Sequence, residues 1–278
     1  MADTLAQCLQ AAQAHGLARV DAQLLLMWAL GHDPHDRAWL IAHDDETLTE
    51  AAAARWTAAL QRRLNGEPVA YILGEQAFFG LNLRVGPGVL VPRPDTETLV
   101  QWALDLVPNQ AGVRCWDVGT GSGAIALALC RERPQWAITA SDLSVDALRV
   151  AQANAERLGL NLRWAQGPWL GAVTGKRFEL IVSNPPYIAE GDPHLDALCH
   201  EPLSALTAGA DGLDDLRTLI TQAPDHLNAG GWLLLEHGHD QAFAVRALLT
   251  QAGFVEVNSR KDLAGIERCS GGQWPKAS

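Results

Sequence analysis

The chain has 278 residues, 48% apolar and 19% charged, with a formal charge of −11 when histidine is neutral. That balance excludes a disordered, collagenous or coiled-coil protein, and the length leaves room for one large or two modest packed domains. The acidic excess argues against a non-specific nucleic-acid binder, which needs a field of the opposite sign.

Residues 1–66 read as helices alone. Leu5, Cys8, Leu9 and Ala12 recur at helical spacing, and Leu24, Leu25, Met27 and Trp28 give a second apolar helix that Gly31 can stop. Trp39, Leu40 and Ile41 mark a short third segment. Thr49 starts an alanine-rich helix through Trp56, Leu60 and Leu64, closed by Asn65-Gly66. Short turns between these pieces predict a small bundle, with its tryptophans in the core or in grooves. The N-terminus lacks a basic stretch leading into a long apolar core, and no run of about 18 uncharged apolar residues occurs, so neither a secretory signal nor a membrane span is expected. Five scattered cysteines without a CxxC pair fit reduced thiols in the cytoplasm.

Residues 67–95 read as an apolar connector. Leu81, Leu83 and Val85 alternate after Phe78-Phe79-Gly80, predicting a β-hairpin, and Val89-Leu90-Val91 reads as a further short strand. Residues 96–278 read as a second domain, opening with a helix over 96–107. Strands are predicted at 114–118, 137–141, 162–166, 180–183, 232–236 and 255–258, and helices at 124–133, 145–158, 213–227 and 241–252. This alternation predicts a mostly parallel, doubly wound α/β sheet.

Two motifs carry chemistry. Asp117-Val118-Gly119-Thr120-Gly121-Ser122-Gly123 follows the first predicted strand and opens a helix. Its GxGxG spacing is shorter than the GxGxxG loop that seats a dinucleotide pyrophosphate, and suits an amino-acid moiety beside a ribose. Asp142 ends the next strand, about 20 residues beyond the last loop glycine, where a carboxylate accepts both hydroxyls of an adenosine ribose and disfavours a 2′-phosphate. Together these features favour S-adenosylmethionine over NADP. The second motif, Asn184-Pro185-Pro186-Tyr187, follows a buried strand. The prolines are rigid and donate no N–H. The Asn184 side-chain oxygen and the Pro185 carbonyl can accept both N–H bonds of a planar NH2 group, and Tyr187 supplies an aromatic wall. Held so, a nitrogen attacks an activated methyl through orientation and proximity, without a strong base.

With these motifs in hand, 117–129, 141–144 and 182–188 resemble a class I methyltransferase acting on amino groups. Pro92-Arg93-Pro94-Asp95-Thr96-Glu97 and the segments 69–100, 201–213, 230–241 and 262–268 are similar to the release factor glutamine methyltransferases over nearly the whole chain. The resemblance implies a seven-stranded, Rossmann-like catalytic sheet with an N-terminal helical domain that helps to hold the substrate. It implies cytoplasmic methylation of the Gln side-chain amide in the Gly-Gly-Gln loop of class I peptide chain release factors. By motif position, Asp117, Gly119 to Gly123, Asp142, Leu143, Trp169 and Asn184 would bind the cofactor, and Asn184 to Tyr187 the glutamine. One departure is Pro168, where relatives often carry an acid, so an adenine amino contact there would fall to a backbone carbonyl or be absent. Arg93, Thr96 and Glu97 either start a helix or reach the cofactor pocket, and Glu236 reads as structural, or as orienting the sheet end. Gly271-Gly272-Gln273 in this chain reads as a glycine-rich terminal turn rather than a substrate for self-methylation. No metal is expected, since His194, His200, His237 and His239 lack ligand spacing. Amino methylation of a nucleic-acid base and a catalytically dead binding module remain as alternatives. Against the first, residues 1–66 carry five arginines, no lysine and eight acids.

Overall fold

A computed structural model describes residues 3–276 and divides into two units, one ending at Glu75 and the other beginning at Gln76. The first holds helices α1 (Leu5–Ala14), α2 (Arg19–Leu30), α3 (Arg37–Ala42), α4 (Glu50–Leu64) and α5 (Val69–Leu73). Thr4 starts α1 through a reciprocal cap, accepting from the Gln7 backbone N–H at 3.3 Å while the Gln7 side chain accepts from Thr4 N at 2.9 Å. Leu5, Cys8 and Ala12 of α1, Leu25, Leu26 and Met27 of α2, Leu40 of α3 and Trp56 and Ala59 of α4 form its core. Ile72 of α5 joins them, so the helical unit includes a segment that the sequence reading gives to the connector.

The second unit opens with a hairpin, β1 (Glu75–Phe78) and β2 (Leu81–Arg84). Its two turn residues, Phe79 and Gly80, both have positive φ (46° and 71°), the turn form that matches strand twist. The expected strand at Val89–Val91 does not form. Its ladder partner is replaced by a carboxylate: Val91 N–H donates to the buried Glu201 side chain at 2.9 Å.

There follow α6 (Glu97–Leu106), β3 (Arg114–Val118), α7 (Ala124–Glu132), β4 (Ala137–Asp142), α8 (Val145–Leu158), β5 (Arg163–Gln166), β6 (Phe178–Ser183), α9 (Asp214–His226), β7 (Leu227–Glu236), α10 (Ala242–Gln251), β8 (Val255–Lys261) and β9 (Glu267–Gln273). The sheet has seven strands in the order β5-β4-β3-β6-β7-β9-β8, parallel except for β9. Its central strands are apolar on both faces because helices cover both. Alternate residues divide accordingly: Cys115, Leu180, Val182 and Leu234 pack toward α6 and α7, whereas Trp116, Ile181, Leu233 and Leu235 pack toward α9 and α10.

The chain winds outward from β3 through β4 to β5, then returns to β6 on the other side of β3. That reversal opens a crevice at the carboxyl ends of β3 and β6, the place where open α/β sheets bind ligands. Strand β9 is absent from the sequence expectation. Its small residues, Ser270, Gly271 and Gly272, carry no apolar alternation, yet they are buried. Gly271 and Gly272 are therefore not a terminal turn. A Cβ on Gly271 would sit 2.6 Å from the Leu233 carbonyl oxygen of β7, so only glycine lets these strands approach.

Candidate active site

The Gly-rich loop leaves β3 at the crevice. Gly119, Gly121 and Gly123 all have positive φ (73°, 56° and 87°), which explains the three glycines in alternation. They serve different purposes. A Cβ on Gly121 would meet nothing within 4 Å, so this residue opens onto free space, whereas one on Gly123 would strike Leu127 Cδ1 at 2.9 Å. Gly123 thus allows α7 to pack and is not on the cavity wall.

Two carboxylates shape the loop. Asp117 is fully buried; its Oδ2 accepts from Thr120 Oγ1 at 2.6 Å and from Ala126 N at 3.1 Å, and its Oδ1 has no partner. Burial pushes its pKa up to about 7 against the pull of those two hydrogen bonds. It holds the loop from beneath and does not line the cavity. Asp142, at the end of β4, accepts from Gly121 N and from Ser144 N, each at 2.9 Å. Each of its oxygens accepts one bond there and has capacity for another, and the residue lines the cavity.

The cavity measures about 720 Å³. Gly119, Thr120, Gly121, Ser122, Asp142 and Leu143 line one side, and Asn184 and Pro186 another. Trp169 completes a wall from an unusual backbone position, φ 43°, that turns its indole against Gly119. Pro185 lies buried beside Asn184, and Tyr187 turns its hydroxyl away from the cavity to Glu236 Oε1 at 3.4 Å. The Asn184 Nδ2 donates to Thr96 Oγ1 at 3.2 Å, and its Oδ1 is buried without a partner. An unsatisfied buried acceptor costs free energy, of order 1–3 kcal/mol. Its retention at the crevice marks a place for an incoming donor.

Comparison with known proteins fits these halves. A family model described as the PrmC N-terminal domain matches residues 3–74, and one described as a methyltransferase small domain matches 96–261. A release factor glutamine methyltransferase of Bordetella pertussis is 50% identical over 260 residues, covering 92% of this chain and 95% of that one. One of Xylella fastidiosa is 48% identical over 270 residues, covering 96% and 97%. The chain belongs to the release factor glutamine methyltransferase family. The fold is shared more widely: a Pyrococcus furiosus methyltransferase superposes with a TM-score of 0.55 at 22% identity, over 80% of this chain and 100% of that one. A Thermus thermophilus 16S rRNA guanine methyltransferase, solved with AdoMet and guanosine, superposes with a TM-score of 0.56 at 18% identity, over 72% and 49%.

In this family member, the motif PRPDTE divides between two tasks. Arg93 and Thr96 line the cavity, while Glu97 accepts from Phe79 N at 2.7 Å and ties α6 to the hairpin. Arg93 pairs with Glu201, a buried acid that the sequence reading leaves unassigned. Asp215 is also absent from that reading. It lies in the first turn of α9, where acids are common for the helix dipole alone, yet it lines the cavity beside Pro168 and Trp169. Glu236, at the end of β7, is 1% exposed, with Oε2 unpartnered; burial raises its pKa to about 7 against the pull of the neighbouring Thr96 and Tyr187 side chains. No group of His, Cys, Asp or Glu among the described residues has metal-binding geometry.

Proposed function

We propose that this protein transfers the methyl group of S-adenosylmethionine to the side-chain amide nitrogen of the Gln in the Gly-Gly-Gln loop of class I peptide chain release factors. The observation that carries this reading is the buried, unpartnered Asn184 Oδ1 at the switch point of the sheet, facing the same cavity as the glycine loop and Asp142.

The residues present fit the cofactor. The open space over Gly121 admits close approach to the backbone, and the spare lone pairs of Asp142 suit two ribose hydroxyls. Of the lining residues, Thr120 and Ser122 would hold the amino-acid moiety, and Leu143 and Trp169 would supply apolar walls for the purine. Beside Pro168, which has no side-chain acceptor, the Asp215 carboxylate is available to the adenine amino group. S-adenosylmethionine, when bound, supplies a methyl group activated by its sulfonium.

The chain supplies orientation. Asn184 Oδ1 and the Pro185 carbonyl accept the two N–H bonds of the substrate amide and aim its nitrogen at the methyl. An amide nitrogen that takes up the methyl group gains positive charge, which these two acceptors would stabilise. The surplus proton leaves to water. An amide is a poor nucleophile, so holding it in the attacking geometry is most of the task.

The helical unit is read as the contact for the folded partner, its acidic excess suiting a release factor that is basic because it works against ribosomal RNA. A partner of that kind suits an enzyme working in the cytoplasm. Mass spectrometry of a purified release factor after incubation with the protein and labelled cofactor tests the proposal. One methyl group on the Gly-Gly-Gln glutamine is expected; label in nucleic acid, or none in the release factor, overturns it. Removing residues 1–66 should raise KM for the intact release factor far more than for a Gly-Gly-Gln peptide. Equal losses would show that the helices serve only the fold.

A further inference from the structure

An asparagine can turn either its oxygen or its NH2 to a cavity, and only the oxygen can hold an incoming N–H. At Asn184 the choice is made behind the residue. Its Nδ2 donates to Thr96 Oγ1 at 3.2 Å. A hydroxyl has one hydrogen, so a Thr96 oxygen that accepts from Asn184 sends its own proton elsewhere. Beside it lies the buried carboxyl of Glu236, whose Oε1 takes the Tyr187 hydroxyl at 3.4 Å and whose Oε2 has no partner. The Asn184 NH2 is thus committed to Thr96, with a buried carboxyl close behind the hydroxyl. Thr96 and Glu236 are 4% and 1% exposed, so little water competes for these bonds. At the cavity end Asn184 Oδ1 is left without a partner.

We propose that Thr96, backed by Glu236, is a positioning residue that fixes the Asn184 amide with its oxygen toward the cavity, so that the site selects a side chain bringing NH2 over one bringing only oxygen. The inference rests on the reading of Asn184 as holder of the substrate amide, and extends it to a specificity determinant that does not itself touch the reacting atoms. The helix-start role of the Pro94-Asp95-Thr96 turn does not account for it, because the Thr96 side chain makes no cap there.

The test compares Thr96→Val, which keeps the shape and loses the hydroxyl, with Thr96→Ser, which keeps the hydroxyl. Three quantities are read: cofactor affinity by calorimetry, single-turnover methyl transfer at saturating release factor, and binding of that factor against its own Gln→Glu variant. Thr96→Val should leave cofactor affinity unchanged, slow transfer by about ten- to a hundredfold and erase most of the preference for glutamine over glutamate, while Thr96→Ser retains both properties. Thr96→Ala gives the same reading should the valine variant not fold. A valine variant with wild-type rate and preference overturns the proposal, as does a serine variant damaged as badly as the valine one. A wild-type protein that leaves the glutamine unmethylated fails the parent reading, and the inference falls with it.

Discussion

The two sides of the crevice are built in different ways. The cofactor side is local: Asp117, Thr120, Gly121 and Ala126 lie within ten residues, and the carboxylates of Asp117 and Asp142 gather the Thr120 hydroxyl and the Gly121 N–H of the loop and the Ala126 N–H of the first turn of α7. The acceptor side is assembled from distant segments: Asn184 after β6, Thr96 before α6, Glu236 at the end of β7 and Tyr187 beyond the prolines. The first side arrives nearly satisfied by its own hydrogen bonds, and rigid. The second keeps a side-chain acceptor bare at the cavity, which stabilises nothing until a donor arrives.

Separate functions should therefore fail separately. The largest effect belongs to the acceptor side. Asn184→Ala should lower single-turnover methyl transfer by about a hundredfold or more, in the range seen when one preorganised hydrogen-bonding group is removed from an active site. Cofactor affinity, measured by calorimetry, should stay near normal. A mutant that transfers at close to the wild-type rate would remove Asn184 from the chemistry.

On the cofactor side the effect should be smaller and of the other kind. Asp142→Ala removes charge-assisted bonds, of order 1.5–3 kcal/mol each at most, and frees Gly121 N–H. We expect cofactor affinity to fall by at least about tenfold, with transfer largely restored at saturating cofactor. Unchanged affinity in a folded mutant would break the assignment, and an equal loss of transfer at saturation would mean that the two sides are coupled.

The same contrast decides what the sequence reveals. The glycine loop, Asp142 and the Asn-Pro-Pro-Tyr turn are legible because each is a short run whose spacing dictates its backbone. The helical unit and the alternating strands are legible from periodicity. Strand β9 is hidden because Ser270, Gly271 and Gly272 show neither β-branching nor alternation; their burial comes from β7 and β8 on either side. Glu201 and Asp215 are hidden because their neighbours in the site, Arg93 and Trp169, lie far away in the chain. Thr96 and Glu236 stand inside noticed segments, but the link between them is purely tertiary. Gln273, in a Gly-Gly-Gln triplet of its own, donates to the Gly230 carbonyl at 2.9 Å, so its amide is engaged in the sheet and away from the crevice.

The smallest expected effect, on stability, tests the contrast most finely. Asp117 and Glu236 are both fully buried acids whose pKa is raised to about 7, from ordinary values of 3.8 and 4.5. Between those limits the native state holds protons that the unfolded chain has released. Each acid therefore contributes a stability that is greatest below about pH 4 and is lost as pH rises through about 7. What differs is what the carboxylate holds. Asp117 Oδ2 takes two donors, the Thr120 hydroxyl of the loop and the Ala126 N–H of α7, so Asp117→Asn should weaken the fold even at pH 8, because neutralising it weakens both bonds. Glu236 carries only the long Tyr187 contact, with Thr96 close by, so Glu236→Gln mainly removes a buried charge. That variant should be more stable than wild type at pH 8, by about 1 kcal/mol, and nearly equal to it at pH 5, as read by thermal unfolding at the two pH values. If Glu236→Gln is instead destabilising at pH 8, the carboxylate is held as firmly as Asp117, and the acceptor side is no less satisfied than the cofactor side.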